Sequence, residues 1–428
     1  MRISFLLHNA YGIGGTIRST FNLAAALAEQ HDVEIISVLR NRRAPIMGAP
    51  PKVRLTPLVD LRPSSPDTDA DDPRHARPAR VFPRADGRHK QYSRLTDERI
   101  GRHLSSLDAD VVVGTRPGLN VHIARQARPD IIRVGQEHLT LASHGLRMRH
   151  EIRHRYRLLD ALTTVTEADA CTYRRLGPRG LRVEAVPNSV PEPRADCSDG
   201  AGKIVVAAGR LTAVKRYDVV VHAFAEVVAA YPDWQLRIFG SGDATGNEKE
   251  NLSALIRELG LTRNVHLMGN TDRLEAEWAR GSVAVSTSDQ ESFGMTIVEA
   301  MRCGLPVVST DCPVGPGEII EDRVDGRLVR PGDPQAVATA LLELVGNDGL
   351  RRRMGEAARK NSARFDPARI AEQHISLYED LLRRGPGRRS LGPAREAAHR
   401  ARTSVIDTVH TARSTVRALA GSRWAPRR

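Results

Sequence analysis

Only four cysteines occur in 428 residues, Cys171, Cys197, Cys303 and Cys312, with neither a CxxC pair nor a Cys/His zinc spacing among them. That excludes a disulfide scaffold and argues against structural metal, and it suits reduced thiols in a cytoplasmic chain. Aromatic residues make up 4% of the chain, few for a protein that holds nucleic acid by stacking. No stretch of about 18 apolar residues occurs, so no membrane-spanning helix is expected. The first apolar run, Ile3 to Leu7, has no small-residue cleavage site behind it and reads as a buried strand, not a signal peptide. Lysine is scarce as well: six of the 64 basic residues. Such an arginine excess fits either a GC-rich genome or an anionic partner met by guanidinium forks.

What is present is ordinary globular composition, 40% hydrophobic and 27% charged, over a length that accommodates two or three domains. Strand-like and helix-like patterns alternate, as in parallel sheets with crossover helices. Runs at Ile3–Leu7, Val33–Val38, Val111–Val113, Ile131–Val134, Leu162–Val165 and Val183–Val186 predict a doubly wound domain over residues 1–187. Residues 188–202, poor in apolar periodicity and next to Pro187, read as a linker. A second set, Ile204–Ala208, Gln235–Phe239, Val265–Met268, Val283–Ser286, Val307–Ser309 and Gly326–Val329, predicts another such domain over 203–366. Two like domains on a hinge imply a cleft. Residues 62–90, rich in Pro, Asp and Arg, read as a mobile insertion outside the core. Pro334–Phe365 and Pro367–Arg384 are long helical patterns, with Asp333 and Asp366 as N-caps.

The net charge is +13, and residues 385–428 hold ten arginines against Glu396 and Asp407. Within that tail, Ala394–Leu419 sets an apolar stripe beside arginines, the pattern of a basic amphipathic helix.

The most informative run leads from Ser286 through Glu291, Ser292, Phe293, Gly294 and Met295 to Glu299 and on to Gly304-Leu-Pro-Val-Val-Ser. Glu291 would sit in a loop at the carboxyl end of a strand, where ligands gather in open α/β sheets. Glu299 follows about two turns into the next helix, whose first amides, at Phe293, Gly294 and Met295, form a ready anion site. Alone, the carboxylate pair also reads as a loop cap and a solvated helix residue. Near the start of the same domain, Ala207-Ala-Gly-Arg-Leu-Thr-Ala-Val-Lys places Arg210 and Lys215 in the loop after its first strand. Carboxyl ends of neighbouring parallel strands share one edge, so these cations can meet the same anion. Lys215 also reads as a solvated loop lysine.

Gly209-Arg210 with Lys215, the Glu291-x7-Glu299 pair and the Gly304 segment together resemble the donor half of the family 4 retaining glycosyltransferases. The resemblance spans about residues 1–380 and is most specific over 204–330. It implies the GT-B fold, two Rossmann-like doubly wound domains facing across a cleft, with helix 367–384 crossing back to the first. It implies that Arg210 and Lys215 hold the diphosphate of a nucleotide-sugar donor, of the UDP type in the branch resembled, that Glu299 takes the ribose hydroxyls, and that Glu291 lies near the reacting carbon. Gly14 and Gly15, in Tyr11-Gly-Ile-Gly-Gly-Thr, match a loop that approaches the donor, and His138, in Gly135-Gln-Glu-His, resembles the family's active-site histidine. The resemblance further implies transfer with retained anomeric configuration through an oxocarbenium-like state, Glu291 acting as a positioning and electrostatic group or as a covalent one. Asp311-Cys-Pro-Val-Gly-Pro-Gly317 departs from one branch, in which an arginine is common where Gly317 stands. Asp108-Ala-Asp110 looks like a metal-binding pair but precedes a strand, at the wrong edge. With two cations and helix amides to neutralise departing diphosphate, no cofactor and no metal are expected.

Arg147–Arg157 packs five arginines and two histidines into eleven residues. It reads either as a solvated helix or, through Arg147, Arg149 and Arg153, as a contact for an anionic cell-envelope polymer or lipid. The tail adds a route to an anionic membrane surface, so the chain is expected in the cytoplasm or on the inner face of the membrane. Competing readings are a nucleotide-sugar epimerase or a phosphorylase of the same architecture, and a non-catalytic polyanion binder. No nucleic-acid motif occurs.

Overall fold

Apolar runs of this kind become strands covered on both faces, the condition of a parallel sheet packed between helices. The computed structural model describes residues 1–63, 65–242 and 246–386, which divide into two units with a sheet each. The expected basic helix at 394–419 lies outside the described residues.

Among the described residues, unit 1 comprises 1–164, 169–184 and 375–386. Its strands are β1 (Arg2–Asn9), β2 (Asp32–Arg40), β3 (Val53–Asp60), β4 (Val111–Gly114), β5 (Ile132–Glu137), β6 (Ala161–Thr164) and β7 (Arg182–Ala185), in the order β3-β2-β1-β4-β5-β6-β7. β1 to β6 pair in parallel. The helices are α1 (Gly15–Leu27), α2 (Arg94–Ser106), α3 (Pro117–Gln126), α4 (Leu146–Arg155) and α5 (Glu167–Leu176). The sequence reading names no strand at β3, which carries Pro57. As an edge strand β3 tolerates a proline, whose missing N–H costs no ladder bond on the open side.

In place of the expected mobile insertion, the described part of residues 62–90 packs on unit 1. Phe82 is 1% exposed and stacks on Tyr92 with centroids 3.5 Å apart. Two buried carboxylates organise the segment. Asp97 accepts the backbone N–H groups of Arg80 (2.5 Å), Val81 (2.7 Å) and Phe82 (3.2 Å), and Asp86 accepts those of Arg88 (2.9 Å) and Gly118 (3.1 Å). A polar composition concealed this order, because the bonds that create it reach partners outside the segment.

Unit 2 comprises Val165–Ala168 and Ala185–His374. Its strands β8 (Ile204–Ala208), β9 (Gln235–Phe239), β10 (Val265–Gly269), β11 (Val283–Ser286), β12 (Val307–Thr310) and β13 (Gly326–Val329) form a parallel sheet in the order β10-β9-β8-β11-β12-β13. Helices α6 (Tyr217–Ala230), α7 (Glu248–Glu258), α8 (Leu274–Arg280), α9 (Met295–Arg302), α10 (Pro316–Ile319), α11 (Pro334–Val345) and α12 (Asp348–Ser362) accompany it. Asp333 caps α11 by accepting from Ala336 N at 3.0 Å. The single helical pattern expected from Pro334 to Phe365 breaks at Gly346-Asn347, where Asn347 caps α12 through Leu350 N at 2.9 Å. α13 (Pro367–Arg384) opens after Asp366, which accepts from Ala368 N at 3.0 Å. Its buried Ile370, His374, Leu377, Tyr378 and Leu381 recur at helical spacing along one stripe.

At the carboxyl end of β1, His8 bonds Tyr92 Oη through Nδ1 (2.9 Å) and Gln91 Oε1 through Nε2 (2.8 Å). Burial, then the charges of Arg116 and Arg88, lower its pKa from 6.5 to about 4. An imidazole neutral in the fold but titrating at 6.5 when unfolded stabilises the fold above pH 6.5 and loses that contribution as pH falls from 6.5 toward 4. His8→Asn is expected to flatten the decline of melting temperature across that window. Parallel curves for the two chains would show that His8 titrates normally in the fold.

Candidate active site

In the second sheet the strand order reverses between β8 and β11, and the carboxyl ends at such a switch point are where open α/β sheets take their ligands. The loop after β8 begins at Gly209, in positive-φ backbone at 153°. A Cβ there would stand 2.9 Å from Tyr217 Oη, and one on Gly240 would fall 1.8 Å from the Gly209 carbonyl oxygen. These two glycines let the ends of β8 and β9 cross closely enough for Gly209 N to bond Phe239 O at 3.0 Å.

The loops after β8 and β11 are laced together. Asp289 N donates to Val214 O (2.9 Å), and Thr287 Oγ1 donates to the carbonyls of Lys215 (3.1 Å) and Arg216 (2.8 Å). Arg216, left-handed at φ 48°, joins Asp218 and Asp289 through its guanidinium. The result is a close pair of opposite charges: Lys215 Nζ stands 2.5 Å from Glu291 Oε1, which also accepts from Ser288 Oγ at 2.8 Å. Both side chains are largely buried, 17% and 12% exposed. The structure thus unites Lys215 and Glu291, whereas Arg210 lies exposed in the same loop with no side-chain hydrogen bond or ion pair among the described residues.

Glu291 is followed by half-buried Ser292 and by Phe293, which is buried edge-on against Phe365 with centroids 5.5 Å apart. Gly294, left-handed at φ 113°, caps α9 with no side chain over the amides, and Met295 begins the helix. Glu299 lies half-buried further along it. The loop after β12 crosses this turn: a Cβ on Gly315 would fall 2.2 Å from Phe293 O, and one on Gly317 would stand 2.9 Å from Asp311 Oδ1. Cys312, absent from the sequence reading of the site, is buried beside Glu291, and burial, then that carboxylate, pushes its thiol up to about 11. Nothing in its spacing signals this; the contact depends on β11 and β12 being neighbours.

The other candidates belong to unit 1. His138 follows β5, half-buried, next to Glu137, which is 1% exposed and tied to Asn120 Nδ2 (2.9 Å) and to Tyr156 Oη. Gly14 and Gly15 open α1. A Cβ on either would meet nothing within 4 Å, so packing within unit 1 does not demand glycine there. On α4, Arg149 is occupied by backbone carbonyls, His144 O at 2.7 Å and Ala142 O at 2.6 Å, which fasten the helix to the loop before it. Arg147 is half-buried and Arg153 exposed. Asp108 and Asp110 pair with Arg2 at the amino ends of β1 and β4.

Residues 194–361 match the family model described as glycosyl transferases group 1. Over its whole length the chain is 33% identical to an exopolysaccharide phosphotransferase of Streptomyces coelicolor, of which it spans 45%. A D-inositol 3-phosphate glycosyltransferase of Corynebacterium jeikeium is 36% identical over 42% of this chain and 44% of its own. The fold is similar to that of Staphylococcus aureus TarM, crystallised with fondaparinux, α-GlcNAc-glycerol and UDP: TM-score 0.71 at 17% identity, over 88% of this chain and 99% of that one.

Because Glu291 occupies the ammonium of Lys215, an anion arriving at the α9 amides has to compete with a carboxylate. Glu291→Gln is therefore expected to tighten pyrophosphate binding, read by calorimetry, by about tenfold, or ~1.4 kcal/mol, and Lys215→Ala to weaken it. Unchanged affinity in Glu291→Gln would show that the pair does not govern the site.

Proposed function

We propose that this chain, whose residues 194–361 belong to the group 1 glycosyl transferases and whose two Rossmann-like units have the GT-B fold, moves a hexosyl or N-acetylhexosaminyl unit from a UDP-sugar to a hydroxyl of a cell-envelope acceptor. The observation that carries this reading is the Lys215–Glu291 pair beside the uncapped start of α9, at the switch point of the second sheet. Pyrophosphate needs cations and oriented N–H groups; a sugar passing through a cationic state needs a carboxylate close by. Both sit within one pair of laced loops.

In this reading Lys215, Arg210 and the amides of Phe293, Gly294 and Met295 receive the diphosphate, with Ser292 beside them. Glu299 takes the ribose hydroxyls, and Glu291 faces the sugar once a phosphate draws Lys215 away. Gly14, Gly15 and His138 act from unit 1. The bond from the anomeric carbon to the β-phosphate oxygen breaks and the diphosphate departs with the electron pair. The acceptor oxygen bonds the same face of the sugar, and its proton passes to the departing phosphate, so configuration is retained. Side-chain cations do the charge neutralisation that a metal performs elsewhere.

UDP as the nucleotide is supported by the ligand of the TarM crystal, and an envelope polymer as acceptor by the exopolysaccharide named for the Streptomyces relative. Arg147 and Arg153 would meet an anionic acceptor. Residues 385–428 would hold the chain to an anionic leaflet; deleting them is expected to lower retention on phosphatidylglycerol vesicles and to leave donor hydrolysis unchanged, and equal retention would remove that role.

A second reading is sugar-phosphate transfer, favoured by the match of the whole chain to a phosphotransferase. The released nucleotide separates the two: cleavage at the anomeric carbon frees a nucleoside diphosphate, whereas cleavage between the phosphates frees a monophosphate. A panel of UDP- and GDP-sugars, run without acceptor, is expected to yield UDP from one donor, with Glu291→Gln about a hundredfold slower at saturating donor. UMP as the product, or full turnover by Glu291→Gln, would overturn the proposal.

A further inference from the structure

The carboxyl edge of the first sheet carries another charged cluster, built from residues the transfer reading leaves unused. β1 and β4 pair in the register Leu6↔Gly114, so His8 and Arg116 follow at the same level. Residues 86–92 close over this end, and Asp86 is the hub. Its carboxylate, 2% exposed, receives Arg116 through Nε and Nη2 and the backbone N–H groups of Arg88 and Gly118. Four donors fill the lone-pair sites that a carboxylate offers, so Asp86 has no capacity for another cation.

Arg88 is exposed, and its guanidinium makes no hydrogen bond or ion pair among the described residues. Its backbone is fixed from both sides, by Asp86 on its N–H and by Gln91 N on its carbonyl at 2.8 Å. Gln91 and Tyr92 in turn hold His8. The Nη1 edge of Arg116 is likewise unused among the described residues. Arg88 therefore carries a charge with no carboxylate partner among the described residues, and it sits on a fixed stretch of backbone.

We propose that Arg88 and the Nη1 edge of Arg116 form a binding site for a phosphodiester group of the acceptor polymer. Two guanidinium groups presenting N–H bonds from separate positions suit the diverging oxygens of a tetrahedral phosphate better than a planar carboxylate, which a single fork satisfies. Carboxyl ends of parallel strands are where open α/β sheets take their ligands. The site rests on the transfer reading for its role, since it names which part of an acceptor unit 1 recognises, but not for its existence.

The test is calorimetric titration of the full chain with a poly(glycerol phosphate) oligomer at low ionic strength, with UDP affinity and donor turnover measured alongside. Arg88→Glu is expected to weaken oligomer binding by about tenfold or more and Arg88→Lys by only about threefold. The charge control Arg257→Glu, at an exposed position of α7, should stay within about twofold of wild type, and UDP affinity should be the same in all. Oligomer affinity in Arg88→Glu no lower than in Arg257→Glu would overturn the site, including the case in which only binding to phosphatidylglycerol vesicles falls. Arg88-dependent oligomer binding without turnover of any nucleotide sugar would remove the transfer reading and leave the site standing; turnover with Arg88-independent binding would do the reverse.

Discussion

The lacing of two loops at the switch point of the second sheet is the constraint on which the candidate site depends. β8 and β11 are neighbours in the sheet but far apart in the chain, and their carboxyl-end loops are joined by backbone bonds between Asp289 and Val214 and by Thr287 bridging two carbonyls. Only this stitching brings an ammonium and a carboxylate to 2.5 Å in a largely buried setting. A buried pair of that kind contributes little net stability, because removing two charges from water offsets most of their attraction. Its value is positional: each charge fixes the other at the switch point of the sheet.

Buried carboxylates do comparable organising work in unit 1. Asp97 gathers three consecutive N–H groups, Asp86 gathers two more and a guanidinium, and Glu137 joins Asn120 to Tyr156. An ionised carboxylate out of water demands several donors. Backbone amides and arginines supply them, which helps to order the described part of the long connection between β3 and α2, where a short 3-10 turn at His89–Gln91 stands. The abundance of arginine thus has two uses. Some guanidinium groups are internal fasteners, as Arg149 is on two carbonyls; others, as Arg88 and Arg210, face outward with their hydrogen-bonding capacity intact.

The shared logic of the two sheets is that chemistry gathers where strands end. Strand interiors here are mostly apolar and buried, so most polar groups collect in the connecting loops, and parallel strands place those loops along one edge. Glycine marks the points where loop backbones cross, at Gly209 beneath Gly240 and at Gly315 against Phe293.

From sequence alone, the alternation of apolar runs and helical patterns determined two doubly wound units and most of their strands, since periodicity and local propensity report directly on buried faces. The loops bearing Lys215, Glu291 and His138 were legible for the same reason: each follows a recognisable strand. Tertiary structure alone decided the rest. It added the proline-bearing edge strand β3, ordered residues 80–92 through Asp86 and Asp97, tied Arg149 to backbone carbonyls while Arg153 stays exposed, and set Cys312 beside Glu291. These outcomes turn on hydrogen bonds and charge contacts between segments distant in the chain, whose geometry exists only once the sheets have formed.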